Sequence, residues 1–272
     1  VRKTMNDMVQ AIEGTIIMTT DLVDSINQVF DFRVPRKWCF DPTGAEISWL
    51  TPSLGGWIKG LIDRHFQLHN WLSRGSRPPS FWLTGFYNPQ GFLTAAMQEV
   101  TRQHSEQKWS LDAIEQKTEV QREIIMGDDG RIEKAINPPN EGVFIHGLYL
   151  EGAAWSRTER KLEDQTSKDP FQQFPIIHVT AVSTVQTDTR PQAGRGRQEV
   201  HPEKTHYQCP IYKYPKRNDK YLITRVWLRP DGSTNNQNDR GKDKDKDAAL
   251  PAGMKPAVNW KLKGVALLCT KE

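Results

Sequence analysis

The stretch Ser80–His104, SFWLTGFYNPQGFLTAAMQEVTRQH, decides the reading of the chain. It opens with four aromatic residues, Phe81, Trp82, Phe86 and Tyr87, interrupted by Gly85. Asn88-Pro89 follows, an N-cap residue and then a proline suited to the first helical position, where its missing N–H costs nothing. Phe92, Leu93, Ala96, Met97 and Val100 recur at helical spacing on one face, with Glu99, Arg102 and Gln103 on the other. An aromatic loop therefore feeds an amphipathic helix, and the pair predicts a buried junction.

Upstream, Met5, Met8, Val9, Ile12, Ile16, Leu22, Ile26, Val29 and Phe30 predict one long helix over 5–30. At ~1.5 Å per residue it would span about 40 Å. Val34-Pro35 is the expected stop, because the residue before proline avoids the α region. Leu54, Trp57, Ile58, Leu61, Ile62, His65, Leu68 and Leu72 predict a second helix, followed by a Gly-, Ser- and Pro-rich turn over 71–79. Three helices with short connectors predict a small antiparallel bundle.

The character changes after Gln107. Over 109–112 strand and helix features conflict, and turns are expected at 127–130 and 137–140. Strands are predicted over 143–150, 175–184, 207–214, 222–229 and 258–269. Pro210 marks the third as an edge or a bulge. In the fourth, Leu222, Thr224, Val226 and Leu228 alternate with Ile223, Arg225, Trp227 and Arg229. The last carries Val265-Ala266-Leu267-Leu268, apolar enough to be covered on both faces. Strands without helical crossovers predict an antiparallel sheet or small barrel. Segments 186–204, with GRGR from Gly194, and 230–256, with DRGKDKDKD from Asp239, are expected to be disordered insertions.

Composition narrows the function. The chain opens on Val1 and is expected to be a piece of something longer. A net charge of +4 with mixed signs gives no nucleic-acid footprint. No run approaches the ~18 apolar residues of a membrane span. Cys39, Cys209 and Cys269 are far apart and form no CxxC pair, so they are expected to be reduced, buried thiols of an intracellular protein. Nine tryptophans must find cores or interfaces. GxxxxGK[ST], GxGxxG, HExxH and GxSxG are all absent, so no phosphate loop, zinc helix or nucleophile elbow is expected. His65 and His69 lie one turn apart on a predicted helix, without an acid between them. They read as core or interface residues, and His146 and His178 as strand residues satisfying a hydrogen bond. Cys209 has no neighbouring helper for nucleophilic attack. The segment is therefore expected to be non-catalytic, with no cofactor and no metal. The aromatic clusters around Trp57, Trp71, Phe81 and Trp82 read first as core filling, with a small-ligand site as the alternative, and Trp57, Phe81 and Trp82 are also interface candidates. Trp155 and Arg157 are candidate surface anchors, being residue types that dominate binding hot spots.

SFWLTGFYNPQGFLTA resembles the signature near the C-terminus of dynein heavy chains. GVFIHGLYLEGAAW from Gly142, PIIHV from Pro175, YQCPIYKYPKR from Tyr207 and WKLKGVALLC from Trp260 match in the same order. Five ordered motifs over nearly the whole chain make the resemblance specific. QGFLTAAMQEVTR and CPIYKYPKRND are most similar to the gamma-type heavy chain of axonemal outer arms. The resemblance implies an α+β fold, a helical bundle over 1–108 followed by an incomplete antiparallel β-barrel over 109–272, its first helix continuing from the last AAA+ module. It implies a structural and regulatory domain on the AAA+ ring of the same heavy chain, in a complex with other dynein chains and microtubules. The expected location is a cilium or flagellum axoneme, or the cytoplasm for a cytoplasmic dynein. The alternative is an independent β-barrel module that binds a ligand.

Overall fold

A computed structural model describes residues 1–41, 43–44, 46–47, 49, 51, 53–107, 109–121, 137–158, 160–165, 167–184, 206–228 and 257–270. The expected insertions over 186–204 and 230–256, the turn at 127–130 and Arg229 lie outside these residues. The protein divides into two compact units, residues 1–76 and 77–271.

Among its described residues the first unit holds three α-helices, α1 (Arg2–Ile12), α2 (Thr20–Phe30) and α3 (Leu54–Arg74). The expected single helix over 5–30 is thus two. Gly14, at φ 74°, is the reason. Its N–H donates to the Ala11 carbonyl and the Thr15 N–H to the Gln10 carbonyl, the paired bonds of a Schellman stop. α2 ends by the same device before Val34-Pro35 is reached. Phe32 N–H donates to Val29 and Arg33 N–H to Gln28, with Phe32 itself at φ 56°. A side chain in that region costs about 1–2 kcal/mol, and Phe32 is 77% exposed, so its ring returns little by burial. Phe32→Gly is expected to stabilise this unit by about 1 kcal/mol, read as a raised midpoint in chemical denaturation. α3 starts at Ser53, whose Oγ accepts from Gly56 N–H at 3.1 Å. It runs past the expected turn at Trp71 and stops at Gly75, φ 62°.

Among the described residues the second unit contains α4 (Pro89–Gln103), α5 (Ala257–Leu262) and eleven strands. α4 is the helix read from the sequence: the Asn88 side chain accepts from Gly91 N–H at 3.0 Å, and Pro89 stands in the first turn. Leu93, Ala96 and Val100 are its buried face. It packs against the sheets of this unit, on β8 (Ile177–Ser183) and β10 (Leu222–Leu228), so the expected third helix of the bundle belongs to the sheet unit.

The sheets are mixed and do not close into a barrel among the described residues. One has the order β1-β3-β8-β2, with β1 (Phe81–Trp82) parallel to β3 (Val143–His146), and β2 spanning Ile114–Val120. The other has the order β10-β9-β11-β4-β7. Here β9 is Tyr207–Tyr212, β11 Ala266–Leu268, β4 Tyr149–Glu151 and β7 Phe171–Gln173. Strands β5 (Ala154–Trp155) and β6 (Leu162–Glu163) form a separate pair. The expected strand over 143–150 is split between the two large sheets. Gly147, at φ 84°, makes the corner, and a Cβ there would overlap the Trp82 indole. The two sheets also meet at β2 and β10, where side chains bridge instead of a ladder. Thr224 Oγ1 donates to Gln116 Oε1 at 3.0 Å, and Trp227 N–H to Thr118 Oγ1 at 3.3 Å.

Three further expectations are corrected. β9 is interior: it pairs antiparallel with β10 along its length and parallel with β11 only at Ile211 and Tyr212, just past Pro210. Proline is accommodated because the second ladder starts after it. β10 carries a bulge between Leu222 and Thr224, which turns Ile223 inward and interrupts the alternation. Residues 258–262, expected as strand, lie in the helix Ala257–Leu262. β11 is the covered strand foreseen: it is central, between β4 and β9, and Val265, Ala266, Leu267 and Leu268 are all buried.

Candidate interaction surface

The first unit has a small core. Met8, Ala11, Leu22, Trp38, Leu54 and Trp57 form it, with Ile26, Val29, Val34, Trp49 and Leu61 against them. Trp57, 2% exposed, stacks on Trp49 at 4.8 Å and on Trp38 at 5.5 Å. The buried Arg64 lays its guanidinium 3.8 Å over the Trp49 ring and donates to the Gly60 carbonyl at 3.0 Å. A planar cation on an indole face is a favourable way to bury this charge.

That core leaves apolar surface uncovered. On α1, Met8 and Ala11 turn inward while Met5, Val9 and Ile12 are exposed. At 100° per residue the exposed three lie about a quarter turn from the buried pair, so the apolar arc is wider than the unit covers. α3 repeats the arrangement. Leu54 and Trp57 face the core, while Ile58, Ile62 (59% exposed), Phe66 (64%) and Leu72 (81%) face water. Ile17, Met18 and Phe30 are exposed at the helix ends. Single exposed apolar residues are ordinary, whereas rows of them on two helices are a candidate interaction surface. His65 and His69 sit within the α3 row, their rings stacked at 5.6 Å and 18°. The sequence shows these positions as apolar at helical spacing and carries no sign of which arc is covered.

The second unit places the other candidates. Phe81, 1% exposed, packs on Phe92 at 4.8 Å. Trp82 is half-buried at the Gly147 corner. Trp155 is buried against Phe174 at 5.2 Å, and its N–H donates to Gln172 Oε1 at 2.6 Å. Arg157 is exposed. Trp57, Phe81 and Trp155 therefore spend their area inside their own units, and Trp57 belongs to a different unit from the other four.

The titratable groups of this unit are positioned for structure. Burial pushes the Cys209 thiol well above its ordinary range, which keeps it protonated and a poor nucleophile. Burial likewise raises Tyr207, whose hydroxyl donates to the Val265 carbonyl at 2.5 Å and so holds the last strand. The His104 ring stacks on Trp109 at 4.1 Å and reaches Glu141 Oε1 at 3.0 Å. His146 Nδ1 lies 2.6 Å from Ser80 Oγ, and burial pushes its pKa down to about 4. The imidazole is therefore neutral when folded, whereas the unfolded protein takes up the proton near pH 6.5. The stabilising contribution is complete above that value and is lost as pH falls from about 6.5 toward 4. Wild-type stability is expected to drop by roughly 2–3 kcal/mol more over that window than His146→Gln, measured by denaturant titration at fixed pH. Among the described residues no three His, Cys, Asp or Glu side chains gather to hold a metal, and no helix is long and apolar enough to cross a membrane.

Residues 1–269 match the family model for the C-terminal domain of the dynein heavy chain. The sequence is 38% identical over 269 residues to human dynein axonemal heavy chain 8, covering 98% of this protein and 5% of that one. It is 38% identical over 179 residues to the dynein gamma chain of the Chlamydomonas reinhardtii flagellar outer arm, covering 66% and 4%. Against the ciliary dynein beta chain of Heliocidaris crassispina the identity is 28% over 271 residues, covering 98% and 5%. The 272 residues thus span about one twentieth of the length of these relatives. A match of this extent, on a fold whose aromatic loop, Gly147 corner and buried last strand stand on the matched motifs, places the protein in the family of C-terminal domains of dynein heavy chains.

Proposed function

We propose that the protein is the non-catalytic structural and regulatory domain of an axonemal dynein heavy chain, and that its first unit packs on the AAA+ ring of that heavy chain. The observation that carries this reading is the uncovered apolar surface of α1 and α3. Each large apolar side chain fully buried contributes ~1.5–3 kcal/mol. Covering even Val9, Ile12, Ile62 and Phe66 is thus worth several kcal/mol, and a tethered partner avoids most of the entropic cost of association. The remaining nineteen-twentieths of a relative's length supplies such a partner. The domain does its work by biasing how ring modules sit, a coupling between sites rather than chemistry. The axonemal, ciliary and flagellar names of the relatives support a place in the axoneme, in a complex with other dynein chains and microtubules.

The test is Ile62→Glu with Phe66→Glu in the parent heavy chain. Both positions face water in the 272-residue protein, so its own stability should change by under about 1 kcal/mol. Microtubule gliding velocity is expected to change at least about twofold, because the charges oppose docking. An unchanged velocity would count against the reading.

A further inference from the structure

His65 and His69 stand one turn apart in the middle of α3, a helix of 21 residues capped by Ser53 at one end and Gly75 at the other. Positions i and i+4 lie on the same side of a helix, about 5–6 Å apart. The two imidazoles already lie face to face, their centroids 5.6 Å apart and their planes 18° from parallel. Both residues are exposed. We propose that His65 and His69 form a two-imidazole site for a divalent transition-metal ion of the zinc class.

The spacing is that of the two ligands in HExxH, where histidines at i and i+4 hold zinc from one helix face. What α3 lacks is the acid of that motif, which serves as the general base of hydrolysis. Its absence removes the chemistry and leaves the chelation. The donor set fixes the class of ion. Neutral imidazole suits zinc, copper and nickel, whereas calcium and magnesium take oxygen ligands. Asp63, the carboxylate of α3, stands two residues before His65, about 200° round the helix, and so faces away. No third His, Cys, Asp or Glu among the described residues joins the pair. Neighbouring cations do not oppose an ion here. Arg64 is turned into the core onto the Trp49 ring, and Lys59 and Arg74 are more than a turn away along the axis.

Each imidazole gives one nitrogen to the ion and keeps the other for a hydrogen bond that fixes the ring. Ser73, one turn further along the same face, supplies such a partner, its Oγ 3.3 Å from His69 Nε2. A structural zinc site has four protein ligands and this pair supplies two, so water fills the remaining positions and the ion exchanges. Halving the ligand set puts Kd on the order of 1–100 µM. The ion ties two turns of α3 together and favours the folded helix over the unfolded chain, so it stabilises the first unit. The inference is independent of ring packing, because the pair is complete and exposed in the 272-residue protein.

The experiment titrates the 272-residue protein with Zn2+ by isothermal calorimetry at pH 8, where an ordinary imidazole is neutral. The expected result is one ion per chain with Kd in the range above. Binding is expected to weaken at least about tenfold in His65→Gln and in His69→Gln, both at exposed positions, and to stay unchanged in His104→Gln. Zinc at about 100 times Kd is expected to raise the melting temperature of the wild type by at least about 2 °C, and to leave that of either α3 variant unchanged. The absence of saturable binding tighter than about 1 mM overturns the proposal. Equal affinity in the wild type and both α3 variants overturns it as well, because the ion is then held elsewhere.

Discussion

Removing residues 264–272 is expected to unfold the second unit while α1, α2 and α3 stay helical. Val265, Ala266, Leu267, Leu268 and Cys269 are buried without exception. β11 pairs with β4 on one side and β9 on the other, so its loss divides a five-stranded sheet. It is also fastened by side chains. Thr84 Oγ1, from the aromatic loop, donates to the Cys269 carbonyl at 2.8 Å, and Arg217 donates to the Gly264 carbonyl. Val265, Leu267 and Leu268 alone contribute roughly 5–9 kcal/mol, before the ladder is counted, against a typical margin of ~5–15 kcal/mol. α4 should be lost with the sheets, because Leu93, Ala96 and Val100 are buried in the same unit. Circular dichroism and limited proteolysis of the truncated protein test this. Digestion of 77–263 with survival of 1–76 is expected; protease resistance equal to that of the full-length protein would show that β11 is peripheral.

Gly142→Ala is the single substitution expected to do most harm. Gly142 sits at φ 70°, where a side chain costs about 1–2 kcal/mol. A Cβ there would overlap the Val179 carbonyl and lie 2.9 Å from the Thr180 Cα, both backbone of the neighbouring strand β8. Backbone in a paired strand cannot step aside as a side chain tip does. The residue is held from the other side too, since its carbonyl accepts from the Arg77 guanidinium at 2.9 Å. Adding an overpacking cost of ~1–3 kcal/mol or more gives roughly 3–5 kcal/mol in total. Gly75→Ala separates the two parts. Gly75 has φ 62° and nothing within 4 Å of its ideal Cβ, so about 1 kcal/mol is expected there. Thermal melts of the two variants decide it, and equal losses would remove the clash from the explanation.

What is legible in the sequence follows from how local each determinant is. α4 is read from Asn88-Pro89 and a five-residue apolar face, all within one helix. β11 is read from four successive apolar residues. The break between α1 and α2 is also local, and Gly14 is its signal, outweighed by an apolar stripe that continues across it. Gly147 likewise carries the corner between β3 and β4, hidden inside a run of β-formers. Two features are not local at all. The parallel pairing of Phe81 with Ile145 joins positions far apart in the sequence, and it draws the aromatic loop and α4 into the sheet unit. Whether an apolar arc is covered depends on neighbours, so Ile62 looks like core by spacing alone. Large aromatics point to Trp57, Phe81 and Trp155 as contacts for the same reason: area predicts that a residue must be covered, not by what.

The central claim is that the apolar faces of α1 and α3 are covered by the rest of the heavy chain. Hydroxyl-radical footprinting of the 272-residue protein against the intact heavy chain tests it most directly. Met5, Met18, Phe30 and Phe66 are the reporters, all exposed here and all of readily oxidised types. The account predicts strong oxidation of these four in the 272-residue protein, and at least about fivefold protection of Met5 and Phe66 in the intact heavy chain. Equal oxidation of Met5 and Phe66 in both would contradict it.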